Sequence, residues 1–171
     1  MARFGRRLAY GATVRGDRTV ALQIDHLFNH PEHTQLVATW IYDEFWRDKP
    51  GYSVATFELL LGEAIDPGRI PLSLLALVDG DPIGTVNLIH NDSPSRPQLD
   101  PWLAALFVVP RHRHQGVGGA LCRALVSEAG LLPVSEVFLG TDIPAFYSAL
   151  GAELYEQVSD TACIMRFRIA P

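Results

Sequence analysis

The apolar run Leu103 to Val109 shows no alternation of polar and apolar positions, the pattern of a strand buried on both faces. Pro110 stops it. After a turn of Arg, His and Gly, the period changes: Val117, Ala120, Leu121, Ala124 and Leu125 fall at i, i+3, i+4, i+7 and i+8, the stripe of a helix packed on a core. Gly130 and Pro133 end that helix.

The same two periods sort the rest of the chain. Ala21 to Phe28 reads as a strand with Leu22, Ile24 and His26 on one face. Pro31 suits a first helical turn, and the helix that follows, through Gln35 to Trp46, sets Leu36, Val37, Trp40, Ile41 and Phe45 on one side. Lys49, Pro50 and Gly51 break it. Ser53 is an N-cap for a second helix carrying Phe57, Leu60, Leu61, Ala64 and Ile65, which Asp66, Pro67 and Gly68 end. Leu72 to Val78, the turn Asp79, Gly80, Asp81, and Ile83 to His90 form a hairpin signal. A Pro-rich polar loop, Asn91 to Pro101, leads into the central strand. Beyond the central helix, Ser135 to Leu139 is a strand and Ile143 to Leu150 a short helix closed by Gly151. Glu153 to Val158 and Ala162 to Arg168 are two last strands.

Glycine is dense where the central helix begins: Gln115, Gly116, Val117, Gly118, Gly119. Each Gly inside a helix costs ~1 kcal/mol relative to Ala, so the run calls for an offsetting use. Bare backbone at a helix start, with its unpaired N–H groups and the positive end of the macrodipole, is a seat for phosphate. Arg111 and Arg113 stand beside it, so a pyrophosphate suits the site; a plain strand-to-helix turn is the alternative. A Rossmann fingerprint fails because position 121 is leucine. A P-loop fails because the only lysine, Lys49, lies far upstream.

Composition narrows the class. With 171 residues and 48% apolar content, the chain is sized for one globular domain. Cys122 and Cys163 lack metal or redox spacing and read as buried thiols of a reducing compartment. With no run near the ~20 apolar residues of a membrane span and no signal-peptide core, the expectation is a cytoplasmic protein without a membrane partner. Net charge is −5, but residues 1–20 hold five arginines against one aspartate, +4, leaving −9 on the body. Residues 1–20 are therefore expected as a flexible basic tail and 21–171 as the domain. The acidic body argues against a nucleic-acid partner and for a cationic one. His112 and His114, and His26, His30 and His33, lack a full zinc ligand set, so no metal is expected.

The segment Arg113-His114-Gln115-Gly116-Val117-Gly118, after a strand ending at Pro110, resembles the acyl-CoA site of the GNAT superfamily of N-acetyltransferases. The element order β-α-α-β-β-β-α-β-α-β-β resembles that family's topology over residues 21 to 171. The resemblance implies an α/β (α+β) fold with a mixed, mostly antiparallel sheet of six to seven strands flanked by about four helices. It implies a splay between the central strand and the next, with backbone of Leu106, Phe107 and Val108 receiving the pantetheine arm of acetyl-CoA. The pyrophosphate would lie on Arg113, His114, Gln115, Gly116, Val117, Gly118 and Gly119. Ala104 and Ala105 suit a bulge.

Phe146-Tyr147-Ser148-Ala149-Leu150-Gly151 is similar to the family's aromatic-Tyr-x-x-x-Gly segment, which implies that Tyr147 protonates the departing thiolate. The Asn that the family often carries before this helix is absent; Thr141 and Asp142 stand there, and Thr141 is the candidate cofactor contact. A proton acceptor for the amine is also needed. The family's Glu near the hairpin strand is missing, so His90 and Asp92 are the candidates as base or water relay, with Asp100 weaker. In the resembled fold the first helices wall the acceptor pocket, so Trp40, Glu44 and the strand's Asn87 are expected to bind a primary amine, cationic or not. The implied function is acetyl transfer from acetyl-CoA to that amine by direct attack in a ternary complex. A non-catalytic acyl-CoA-binding module on the same fold is the alternative, and a homodimer is left open.

Overall fold

The computed structural model describes residues 8–10 and 21–169. A single mixed sheet runs in the order β1-β2-β3-β4-β5-β6-β8-β7. Its strands are β1 (Leu8–Tyr10), β2 (Leu22–His26), β3 (Leu72–Val78), β4 (Asp81–Ile89), β5 (Trp102–Val108), β6 (Glu136–Thr141), β7 (Glu153–Gln157) and β8 (Cys163–Arg168). All neighbours are antiparallel except β5 and β6. Four α-helices flank it: α1 (Thr34–Ile41), α2 (Val54–Leu61), α3 (Val117–Ala129) and α4 (Pro144–Ser148). From residue 21 onward the expected element order and fold class hold. β1 adds an eighth strand to the expected six or seven, inside the stretch expected as a tail; the remainder of that expectation lies outside the described residues.

Two faces of the sheet carry two different cores. Along β3 the even positions Leu72, Leu74 and Ala76 face α3, with Leu22, Ile24, Leu121, Leu125, Val137 and Met165. The odd positions Leu75 and Leu77 meet Val37, Ala38, Ile41, Phe57 and Leu61 of α1 and α2. A third cluster, Leu99, Trp102, Phe138 and Ile164, lies beneath the 91–101 loop, where the Trp102 indole donates to Leu99 O at 2.7 Å.

The helical stripes differ from expectation at their edges. α1 stops at Ile41 and Tyr42–Trp46 continue as a wider π turn. That widening turns Phe45 outward, and Leu36 and Leu60 are exposed too, since short helices lying flat on the sheet bury only a narrow stripe; Ile65 is exposed because α2 ends at Leu61, before it. Ser53 caps α2 as expected, accepting from Thr56 N at 3.3 Å.

Two buried polar residues of β2 are held by side-chain partners. His26 shares a face with Leu22 and Ile24, as predicted, and its Nε2 lies 3.2 Å from Glu128 Oε2 on α3. Asp25, on the opposite face, is pulled up by burial, but hydrogen bonds from Asn29, His30 and the His26 amide hold its carboxyl below the usual range. The early histidines thus go to different faces. Among the described residues no group of three or more His, Cys, Asp or Glu is placed to hold a metal, and no helix is long and apolar enough to cross a membrane.

One glycine fixes how closely α3 sits on the sheet. A Cβ on Gly84 would lie 2.7 Å from Phe107 O and 3.2 Å from Leu121 Cδ1, so backbone and helix would both have to move. Gly84→Ala is expected to destabilise the fold by about 1–3 kcal/mol; urea unfolding of the two proteins measures it, and equal midpoints would refute the constraint.

Candidate active site

The site forms where the sheet loses its ladder. β5 and β6 run parallel but pair at one position only, Trp102 with Phe138, and Phe138 N donates to Pro101 O at 2.9 Å. Beyond that joint the strands part. On its other edge β5 stays paired to β4 with an irregular register: Asn87 faces Ala104, but Thr85 faces Phe107. The extra residue is absorbed at Ala105, whose φ is +49°, a left-handed conformation that costs an L-residue roughly 1–2 kcal/mol. The expected bulge at this small pair is therefore present. Burial of the central strand on both faces is not: Ala104, Ala105 and Leu106 are half buried, because β6 has already turned away.

The opening leads to the glycine-rich loop. His114 has φ +60° and Gly116 φ +83°; a Cβ on Gly116 would meet nothing within 4 Å, so glycine serves the backbone conformation there. A Cβ on Gly118 would sit 3.5 Å from Phe146 Cζ and 3.8 Å from Val108 Cγ2, ordinary packing distances, so the first turn of α3 lies against α4 and β5 with room for no more than a methyl group. The first helical bond of α3 runs from Ala120 N to Gly116 O at 3.0 Å, and the N–H groups of Val117, Gly118 and Gly119 precede any intrahelical acceptor. Exposed His114 and Gln115 flank this turn, and Gln115 Nε2 donates to Arg111 O at 3.0 Å.

The arginines are committed elsewhere. Arg113 Nε donates to Val108 O at 2.8 Å, its Nη2 lies 3.4 Å from Glu44, and its guanidinium lies over the Phe107 ring at 5.6 Å. It ties the loop to β5 and to the end of the first helical segment. Arg111 Nε donates to His112 Nε2 at 3.1 Å.

Tyr147 lies on α4, buried against the α3-side core and edge-on to Phe146 at 4.8 Å. Burial pushes its phenol well above the ordinary tyrosine range, with Cys122 and Asp142 adding to the shift, so it stays protonated at any physiological pH. The neighbouring Cys122 thiol is pushed up to about 12 by burial. Thr141 Oγ1 accepts from Ile143 N at 3.0 Å, which shapes the approach to α4.

On the α1/α2 face, Trp40 stacks on Phe107 with centroids 5.3 Å apart, and Glu44 is exposed beside Arg113. Thr141, Asp92, Ser93, Arg96, Trp102 and Ile164 line a groove of about 300 Å³, braced by the Arg96–Glu156 ion pair. Asp92 is exposed as a residue, yet its carboxyl is pushed up by lost hydration in the groove, which Lys49 partly offsets. His90, past the end of β4, is exposed with Nδ1 2.8 Å from Asp100 Oδ1. Asn87 is buried within the sheet, opposite Ser73 on β3 and Ala104 on β5. Sequence reasoning passed over Ser73, while Cys122 is the buried free thiol it was expected to be. Ser73 carried a signal, as the one polar residue in the strand Leu72–Val78.

The sequence model of the acetyltransferase (GNAT) family matches residues 38–156. The chain belongs to that family. This GNAT enzyme is accordingly a transferase that moves an acyl group. Its fold is similar to that of the N-acetyltransferase YhbS from Escherichia coli in complex with CoA, at 22% identity and TM-score 0.64, covering 92% of this chain and 86% of that one. It is similar also to the GNAT domain of PAT from S. lividans, at 13% identity and TM-score 0.67, covering 95% and 96%. An aminoglycoside 6'-N-acetyltransferase complexed with coenzyme A matches at 15% identity and TM-score 0.63, covering 86% and 97%. No curated protein matches the chain in sequence.

Both buried acids, Cys122 and Tyr147, have folded values raised above their unfolded ones. The unfolded chain therefore releases these protons first as pH rises, and the stability they contribute falls progressively with pH, from about pH 8.5 for Cys122 and from about pH 10 for Tyr147. Denaturation at pH 8 and pH 10.5 is expected to show a fall in stability that Cys122→Ala reduces. A difference between the two pH values that Cys122→Ala leaves unchanged would refute this.

Proposed function

We propose that this GNAT enzyme transfers an acetyl group from acetyl-CoA to a primary amine of a small molecule or peptide, by direct attack in a ternary complex. The observation that carries the reading is the parting of β5 and β6 beyond Trp102 and Phe138, together with the bulge at Ala105. Those features leave a stretch of β5 without a neighbour on the β6 side, in line with a left-handed glycine loop. The CoA present in two similar structures supports the same cosubstrate here.

In this reading Leu106, Phe107 and Val108 flank the pantetheine arm. The Val108 carbonyl is already taken by Arg113, so pairing to the arm falls on the backbone before it. The pyrophosphate rests on N–H groups from Gln115 to Gly119, with His114 at the rim. Arg113 acts by fixing the loop rather than by touching phosphate, and Thr141 acts by shaping the entry to α4.

The amine nitrogen forms a bond to the thioester carbonyl carbon and the carbon–sulfur bond breaks. The thiolate takes the proton of the Tyr147 phenol, and the phenolate is reprotonated from solvent. The proton lost from nitrogen passes to water relayed by the His90–Asp100 pair or by Asp92, whose raised value makes it a better acceptor than an ordinary carboxylate. Trp40, Glu44 and Asn87 border the acceptor, and the exposed carboxylates draw cationic amines toward the opening.

Thiolate release from acetyl-CoA over a panel of amines tests the reading, with calorimetric binding of CoA alongside. Tyr147→Phe is expected to lower kcat by about 10²–10⁴-fold with unchanged CoA affinity and melting temperature. Binding without turnover on any amine would favour a non-catalytic acyl-CoA-binding module instead, and a Tyr147→Phe variant with full kcat would remove Tyr147 from the chemistry.

A further inference from the structure

One polar row on the α1/α2 face of the sheet is unexplained by packing. Ser73 on β3, Asn87 on β4 and Ala104 on β5 are successive cross-strand partners, so their side chains share a face. This row lies between two apolar clusters. On one side Leu75, Thr85 and Phe107 sit under α1 and Trp40; on the other, Ile89 and Trp102 sit under the 91–101 loop. Asn87 is 5% exposed and Ser73 2%. Neither Oδ1 nor Nδ2 of Asn87, nor Oγ of Ser73, has a hydrogen-bond partner among the described residues. Thr85, two residues away on the same strand, satisfies its hydroxyl on Leu74 O at 2.9 Å, and buried His26, unpaired at Nδ1, still bonds Glu128 through Nε2; Asn87 and Ser73 have every side-chain bond unmade.

A buried carboxamide with every bond unmade opposes folding, whereas an apolar side chain of the same shape would not. Ala104 explains what the row is for. It is small, half buried, and directly opposite Asn87 at the bulge. A group lying over β5 at Ala104 is therefore one cross-strand spacing, about 5 Å, from the Asn87 side chain.

We propose that Ser73 and Asn87 form an uncharged seat that receives the attacking amino group in its neutral form, Asn87 Oδ1 accepting one N–H while the nitrogen lone pair faces the thioester. This rests on the N-acetyl transfer reading and names its substrate class. The one buried carboxylate on this face among the described residues, Asp25, lies on the next strand opposite Leu75 and is taken up by Asn29, His30 and the His26 amide, so the row Ser73–Asn87–Ala104 holds none to balance an ammonium ion, and burial there disfavours the charged form. Glu44 and Asp92, the carboxylates that draw a cation inward, lie exposed at the opening, so the amine sheds its proton before it is seated. Such a seat selects amines that lose a proton easily: α-amines, with pKa about 8, over lysine-type ε-amines, with pKa about 10.4. Asn87 and Ser73 are positioning residues that raise the reactive fraction of the acceptor without themselves taking its proton.

The test compares glycinamide with Nα-acetyl-lysinamide as acceptors from pH 6.5 to 9.5. Wild type is expected to favour the α-amine by about 10²-fold in kcat/KM at pH 7.5, as the neutral fractions dictate, with the ratio narrowing as pH rises. Asn87→Asp, which adds a charge partner for ammonium, is expected to narrow the ratio at pH 7.5. Asn87→Leu is expected to lower kcat/KM for both amines about 10–100-fold, with KM for acetyl-CoA unchanged and the melting temperature of the ligand-free protein raised by about 2–4 °C. Equal use of both amines at pH 7.5, or full activity of Asn87→Leu, would overturn the seat. Should no amine be acetylated at any pH while CoA binds, the transfer reading falls, and the melting temperature alone decides the seat: a rise in Asn87→Leu supports a ligand-binding role, and a fall shows that Asn87 is structural.

Discussion

A parallel pair of strands held together at one position is the constraint on which the rest depends. A sheet of this size gains from every ladder bond it forms, and the β5–β6 edge forgoes most of them. The parting is maintained from both sides. Trp102 and Phe138 pack into one cluster with Leu99 and Ile164 and hold the closed end. The α3-side core, continuous from β2 across to β8, fixes the two half-sheets on a common support. The bulge at Ala105 belongs to the same arrangement: it shifts the register of β5 against β4, so the unpaired stretch lies beside Asn87 and Ser73 and leads to the loop before α3.

The glycine-rich turn shows how several local demands coincide. Gly116 answers a backbone angle, Gly84 the fit of α3 on the sheet, and Gly118 lies where α3 packs at ordinary distance on α4. Each would weaken an ordinary helix or strand. Together they bring the first turn of α3 to the end of β5, where Arg113 closes the joint by bonding Val108 O.

Much of this was legible in the sequence because it is local. The change of period at Gly116 marks the strand–helix boundary, Ser53 marks a cap, and the order of elements from residue 21 follows from periodicity and turn residues. The Ala104–Ala105 pair even signalled its bulge through side-chain size. What escaped was set by partners distant in the chain. The charge of Arg113 was visible, but not its contact with Glu44, 69 positions away. The half-exposed middle of β5 reads as fully buried in a one-dimensional pattern, since hydrophobicity records the two faces of a strand and not whether its edge is paired. The outward Phe45 follows from a π turn, which widens the helix by one residue per turn and shifts the stripe.

Because the two half-sheets meet in one paired position, the angle between them is governed by side chains sliding in the core and not by the breaking of backbone bonds. The Trp102–Phe138 joint alone contributes little backbone bonding to that angle, and the burden of holding it falls on the α3-side core that both halves share. A cleft whose width is set by packed side chains and not by ladder bonds can be reset by substitutions in that core which leave the pairing within each half-sheet intact.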